Sequence, residues 1–491
     1  MRRVLAAVAV LLAAALVAAC VQEAEQDPLA GGADGGSGGG WLGDRDDAEE
    51  EVDDDLDAPI EPETGLDDAE APDVDTIVKA ALLDVEAFWS RSYEDVYGTP
   101  YEPISGGFWA YGPDTELPPC GDEPFAYADI AANAFYCPSD DLIAWDAVNL
   151  VPGLYEEFGG FTLGIVFAHE IGHAVQARAD LFGLPTIVTE LQADCFAGAW
   201  TADVAAGRSE WFEVTLEDLD KTVAGFLSLR DGVGTDAADP AAHGTGFDRI
   251  GSFSEGYEQG LDACAAYPDL FENDELVIVE VPFTSQEDFE RGGNLPLDEL
   301  IPLLLADLDD FWTVVFGEIG RTWRPVADVV GVDPEIDEVS CGETYSGEEL
   351  VNVAFYCVED NTVYIDAVDL VPSLNEIGDY AVATEIARQY AYAAQVQLEN
   401  LANDRASNLQ ADCFTGIYAS SGFLGNREEQ QLFLSPGDLD EAVIAFLQRS
   451  DTTADPEETG DVSVGTAFER FDAFRTGFMD GFEACEALAA G

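Results

Sequence analysis

The chain has 491 residues, 47% of them hydrophobic and 11% aromatic, with 100 acidic residues against 19 lysines and arginines and a net charge of −81. That apolar content is enough to bury cores and excludes a wholly disordered protein. The charge excludes nucleic acid and anionic lipid headgroups as the main ligand, since both carry the same sign. The acidity runs through the whole chain and only two lysines occur, Lys79 and Lys221; such a halophilic surface suits high salt, where screening removes self-repulsion.

Arg2-Arg3 and the apolar run 4–19 form a secretory signal pattern, shorter than the ~20 residues a spanning helix needs. Leu16-Val17-Ala18-Ala19-Cys20 resembles the lipobox of bacterial lipoproteins. The resemblance implies a signal peptide over 1–20, lipidation of Cys20, and a protein outside the cytoplasm attached to the cell membrane by that lipid. Residues 21–75, Gly-rich at 31–40 and acidic throughout, have no apolar periodicity and read as a solvated tether.

The remainder reads as two tandem copies, 76–275 and 296–491, joined by a linker at 276–295. Ala134-Phe135-Tyr136-Cys137 returns as Ala354-Phe355-Tyr356-Cys357, and Leu150-Val151-Pro152 as Leu370-Val371-Pro372. Leu191-Gln192-Ala193-Asp194-Cys195-Phe196 returns as Leu409-Gln410-Ala411-Asp412-Cys413-Phe414. Eight cysteines besides Cys20 divide four and four, an even set that in an exported chain reads as disulfides. Each copy allows three connectivities. The favoured one joins Cys120 to Cys137 and Cys195 to Cys264, with Cys341–Cys357 and Cys413–Cys485 in the second copy. Each copy is expected to be a mostly helical α+β unit. It opens with a helix through Ile77, Val78, Ala81, Leu82, Val85 and Phe88, then a short hairpin around Pro138-Ser139-Asp140-Asp141, then helices near 161–179, 187–206, 216–230 and 247–264.

His169-Glu170-Ile171-Gly172-His173 is an HExxH motif in one of these helices, and it uses two of the three histidines in the chain. Residues four apart share a helix face, so both imidazoles reach one zinc while Glu170 stands beside them as a base. A catalytic zinc needs a third ligand and an open fourth position. The next helix offers Glu190 and Asp194, also four apart, and spacing alone leaves the choice between them open.

These segments, with Ala197-Gly198-Ala199-Trp200, His243-Gly244-Thr245 and Arg249, resemble the neutral zinc metallopeptidase family of bacteria over most of 76–275. The HExxH-plus-ExxxD layout is also similar to the thermolysin-like zincins. The resemblance implies a zincin-like fold, Zn2+ held by His169, His173 and Glu190, and Glu170 as general base. It also implies that Asp194 binds the far ring nitrogen of a ligating histidine. The stretch between His173 and Glu190 is shorter than the family's usual one.

The second copy serves as an internal control, because no histidine follows His243. Aligned through Val175-Gln176 and Val396-Gln397, the motif residues His169, Glu170 and His173 fall on Tyr390, Ala391 and Ala394; a gapped alternative places them on Thr384, Glu385 and Arg388. Glu190 becomes Asn408 and Asp194 remains as Asp412, which points to Glu190 as the ligand. His243 becomes Val464, which groups it with the lost chemistry as a donor to the oxyanion. Arg249 and Arg470 persist in both copies and read as structural. The expected function is a lipid-anchored zinc metallopeptidase acting on a peptide or protein, with a non-catalytic second copy. The competing readings are a binding or scaffolding lipoprotein with a structural zinc, and a hydrolase of a non-peptide amide.

Overall fold

The computed structural model describes residues 73–121, 125–181, 183–239, 242–401, 404–450 and 463–488. Cys20, the signal and the tether up to 72 lie outside them. Helix α1 (Val74–Tyr97) starts where Asp73 accepts from the Thr76 amide and ends at left-handed Gly98. Its buried face, including Val78, Leu82, Val85 and Trp89, has the spacing expected of a helix packed on one side. Strands β1 (Gly107–Tyr111), β2 (Ala134–Cys137) and β3 (Leu142–Asp146) follow. The expected hairpin is β2–β3, closed through Asp141 at positive φ. Strand β1, which has no counterpart in the sequence expectation, joins it parallel to β3 in the order β1-β3-β2. A parallel partner comes from distant sequence and leaves no turn signal between the two strands.

Helices α2 (Leu150–Phe158), α3 (Gly160–Arg178), α4 (Thr186–Ala205), α5 (Leu216–Ser228) and α6 (Gly246–Gln259) complete the first half. Within 276–295, expected as a linker, Val279 is buried and its amide donates to Asp248, and a short helix runs Gln286–Glu290. The second half runs α7 (Leu297–Glu318), β4 (Asp328–Val332), β5 (Glu338–Cys341), β6 (Glu343–Ser346), β7 (Ala354–Cys357), β8 (Thr362–Asp366), α8 (Leu370–Ile377), α9 (Asp379–Leu398), α10 (Arg405–Leu424), α11 (Asp438–Gln448) and α12 (Ala467–Asp480). Its sheet has the order β4-β8-β7, again with one parallel and one antiparallel pairing, and β5–β6 is an additional two-stranded ribbon. The result is a mostly helical protein with small mixed sheets.

Each half closes its central helix pair in the same way. The carbonyl of Cys195 lies where a Cβ on Gly256 would sit, at 1.8 Å, and the carbonyl of Cys413 does the same at Gly477. Only glycine permits α4 and α6, or α10 and α12, to approach so closely. The disulfides Cys195–Cys264 and Cys413–Cys485 tie α4 and α10 to the short helices Leu261–Ala265 and Phe482–Leu488 that follow α6 and α12, while Cys120–Cys137 and Cys341–Cys357 anchor the sheets.

The halves share one continuous core. Phe247 of α6 inserts among Phe471, Phe474 and Phe478, with ring centroids 5.1–6.2 Å apart, and Phe468 packs on Phe253 and Tyr257. Polar ties cross the same interface, among them Ser254 to Asp472 at 2.8 Å. Among the described residues, no helix is long and apolar enough to cross a membrane.

Candidate metal centre and cleft

Helix α3 carries His169, Glu170 and His173, and α4 carries Glu190 and Asp194. Gly172 brings the two helices together, since a Cβ there would lie 3.2 Å from Ala193. This close crossing turns the Glu190–Asp194 face of α4 onto the histidines.

His169 Nδ1 lies 2.7 Å from Asp194 Oδ1, and His173 Nδ1 lies 2.9 Å from Gln176 Oε1. With Nδ1 as the donor in each pair, the neutral form of each ring presents Nε2 as its ligand atom. Those two Nε2 atoms are 3.1 Å apart. Glu190 Oε2 is 3.1 Å from His169 Nε2, and Glu190 Oε1 is 3.4 Å from His173 Nε2. A tetrahedral zinc with bonds of about 2.0–2.1 Å has ligand–ligand edges of about 3.3–3.4 Å. The three donors therefore match three corners of a zinc tetrahedron and could hold a metal ion.

Electrostatics agree with a site built around a cation. Burial favours the neutral ring of His169, but Asp194 and Glu190 overcome it and push its pKa up to about 10. Burial raises the Glu190 carboxyl, yet His173 and His169 hold it well below the usual range. Glu170 is buried and its carboxyl is raised mainly by desolvation, against the pull of both histidines. A raised carboxyl beside a metal site is what a proton acceptor working near neutral pH requires.

Asp194 is fully buried and also binds Arg249 of α6 through both oxygens, at 2.8 and 3.0 Å. One carboxylate thus orients His169 and joins α4 to α6. His243 lies in the loop before α6, with Nδ1 3.4 Å from Asp231, which lifts its pKa against burial. The three candidate metal ligands, Glu170 and His243 all line a cleft of about 560 Å³ whose walls are largely apolar, including Phe135, Ile165, Val166, Leu184, Phe226 and Leu229. The edge strand β2 forms one side of it.

The side-chain contacts of the second half fit neither pairing of the motif. Gln176 donates to the Thr189 carbonyl and to Gln192, whose own amide donates to the Cys264 carbonyl. Gln395 does the same with Ser407, Gln410 and Cys485. Gln395, not Gln397, therefore stands where Gln176 does, and His169, Glu170 and His173 correspond to Arg388, Gln389 and Tyr392. The contacts follow suit. Arg388 binds Asp412 at 2.7 Å where His169 binds Asp194, and Tyr392 donates to Asn408 at 2.8 Å where His173 faces Glu190. Pairing by the repeated Val-Gln misled because Gln397 instead holds the 321–324 segment through the Arg324 backbone.

Residues 283–488 match the model of the family described as "Putative neutral zinc metallopeptidase". The match begins inside 276–295 and covers the half without histidines, whereas the motifs read from the sequence lie at 134–249. The chain is 29% identical over 203 residues to the uncharacterized protein YpfJ of Escherichia coli K12, covering 36% of this chain and 67% of that protein. It is 31% identical over 152 residues to the uncharacterized protein Rv2575 of Mycobacterium tuberculosis H37Rv, covering 26% of this chain and 52% of that one. No solved structure matches. A domain of this bacterial family thus occupies part of the chain.

Proposed function

We propose that the first half is a zinc-dependent peptidase and that the second half is a related copy without catalysis. The observation that carries the reading is the donor triangle of His169, His173 and Glu190. Two imidazole Nε2 atoms 3.1 Å apart, with a carboxylate beside them, bring three ligand atoms to one point, as a metal site requires. The family match supports a peptide or protein as substrate, and the edge strand along the cleft suits an extended chain. The matching sheet orders, disulfides and glutamine contacts support duplication.

His169, His173 and Glu190 would hold the zinc, which when bound would serve as a Lewis acid for the scissile carbonyl and lower the pKa of water. Glu170, raised by burial, takes the proton of the attacking water and returns it to the leaving amine. His243 donates a hydrogen bond to the oxyanion, and Asp194 holds the His169 tautomer that directs Nε2 into the site. The apolar walls keep bulk water from the carbonyl. The signal and Cys20 support placement of this activity outside the cell membrane on a lipid anchor.

The test is Glu170→Gln in the full chain, read by bound zinc and by cleavage of a peptide library. We expect one zinc per chain in both proteins and a loss of about 10²–10⁴ in turnover in the variant. An unchanged rate in the variant overturns the mechanism.

A further inference from the structure

We propose that Asp440, contributed by the second half, is a positioning residue for the site in the first half. The inference rests on the peptidase reading of that site.

The loop between α5 and α6 carries His243, which lines the cleft, and Asp231, 3.4 Å from its ring. Its neck is closed by the Asp231 amide donating to the Gly244 carbonyl at 3.1 Å. The Asp231 carboxylate accepts from the amides of His243 and Gly244 at 2.7 and 2.8 Å. Both strands of this neck end on one carboxylate from the other half. Asp440 Oδ2 lies 3.0 Å from Arg230 Nε, immediately before Asp231. Asp440 Oδ1 accepts from the Phe247 amide at 2.8 Å, and Asp440 also takes the Gly246 amide, so it caps α6. Helix α6 then delivers Arg249 to Asp194. Asp440 is buried, so it forms these bonds without competition from water.

The pseudo-symmetric counterpart shows what is particular to this contact. Asp220 of the first half accepts from the Phe468 amide at 2.9 Å and also takes Ala467, capping α12 as Asp440 caps α6. Each half therefore caps a helix of the other. Position 450, where the second half would carry the counterpart of Arg230, is a serine, and His243 is replaced by Val464. The arginine tie exists only on the side that has the histidine. Between the two reciprocal caps, the one with a guanidinium bears on the loop of His243.

The experiment compares Asp440→Asn with Asp220→Asn in the full-length, zinc-loaded chain, by hydrogen exchange and by peptide-cleavage kinetics. We expect Asp440→Asn to speed amide exchange over 230–249, keep its zinc, and lower kcat about tenfold with KM within about twofold. Asp220→Asn should speed exchange at 463–470 and leave both constants unchanged. Arg230→Gln should reproduce part of the Asp440→Asn effect. Equal losses of kcat in the two aspartate variants, or an unchanged kcat in Asp440→Asn, overturn the proposal, because the cap is then structural only. Unchanged exchange over 230–249 overturns it as well. A wild-type chain that cleaves no peptide, while Asp440→Asn still loosens 230–249, overturns the enzyme reading and leaves the tie standing.

Discussion

Asp194 and Asp412 occupy the same place in the two halves, and their surroundings differ by one substitution of kind. Each is fully buried and each takes both oxygens to an arginine, Arg249 of α6 or Arg470 of α12, at 2.8–3.0 Å. The third partner is His169 in the first half and Arg388 in the second. Arg388 brings its own positive charge, stacks over Tyr392 at 5.2 Å and leaves no pair of imidazole nitrogens to hold a metal. The cleft differs in the same sense. Val166 and Leu229 line it in the first half, whereas Glu385 and Arg449 stand at those places in the second and pair with each other at 2.9 Å. The aspartate–arginine pair is the scaffold common to both halves. The histidines, Glu190 and the apolar walls are a separate layer that can be replaced without dismantling it.

The largest expected effect comes from moving that layer. The fourfold replacement His169→Arg, Glu170→Gln, His173→Tyr and Glu190→Asn gives the first half the residues of the second. It should abolish zinc binding, measured by metal analysis, and all turnover, while circular dichroism keeps its helical signal. Cutting the common scaffold should cost stability in both halves. Asp412→Asn leaves two buried guanidinium groups without their carboxylate and should lower unfolding free energy by about 3–5 kcal/mol. Asp194→Asn should cost a similar amount and in addition weaken zinc binding by about 10–100-fold, because it alone also orients a histidine. Equal zinc affinity in Asp194→Asn and wild type breaks the division into scaffold and site. His243→Val, the second half's residue, should lower kcat by about 10²-fold with zinc retained.

The smallest effect concerns pH. Burial lifts the Asp248 carboxyl from 3.8 to about 7, only partly offset by the Val279 amide and Thr245. Between those values the folded state binds a proton that the unfolded chain has released, so stability falls as pH rises through this window and levels off above it. Asp248→Asn removes that slope. Urea unfolding at pH 4.5 and 7.5 should show the variant gaining on the wild type as pH rises, and parallel curves would remove Asp248 as the cause.

Much of the layout was legible because local chemistry is periodic. The helices expected near 161–179 and 187–206 occur at Gly160–Arg178 and Thr186–Ala205, and the hairpin lies on its Pro-Ser-Asp-Asp turn. The strands β1 and β4 were missed because each pairs in parallel with a strand far along the chain. The helix register in the second half was missed because two glutamines, Gln395 and Gln397, flank Val396, and only burial and partners tell them apart. Asp440 was invisible for a related reason: nothing local to an acidic helix start says that it caps a helix almost two hundred positions earlier.

The sequence by itself determined the residue types at each spacing: two imidazoles and a carboxylate one helical turn apart, a second helix with acids four apart, and four matched cysteines in each half. Spacing along a helix sets which side chains share a face, so this much follows from backbone geometry alone. The tertiary structure decided which oxygen meets which nitrogen, that Asp194 serves the scaffold and His169 at once, and that the second half seals its counterpart with Arg388. It also decided that one half caps a helix of the other. Those outcomes depend on how closely helices approach and what water is expelled between them, and such distances are set by packing across the whole core.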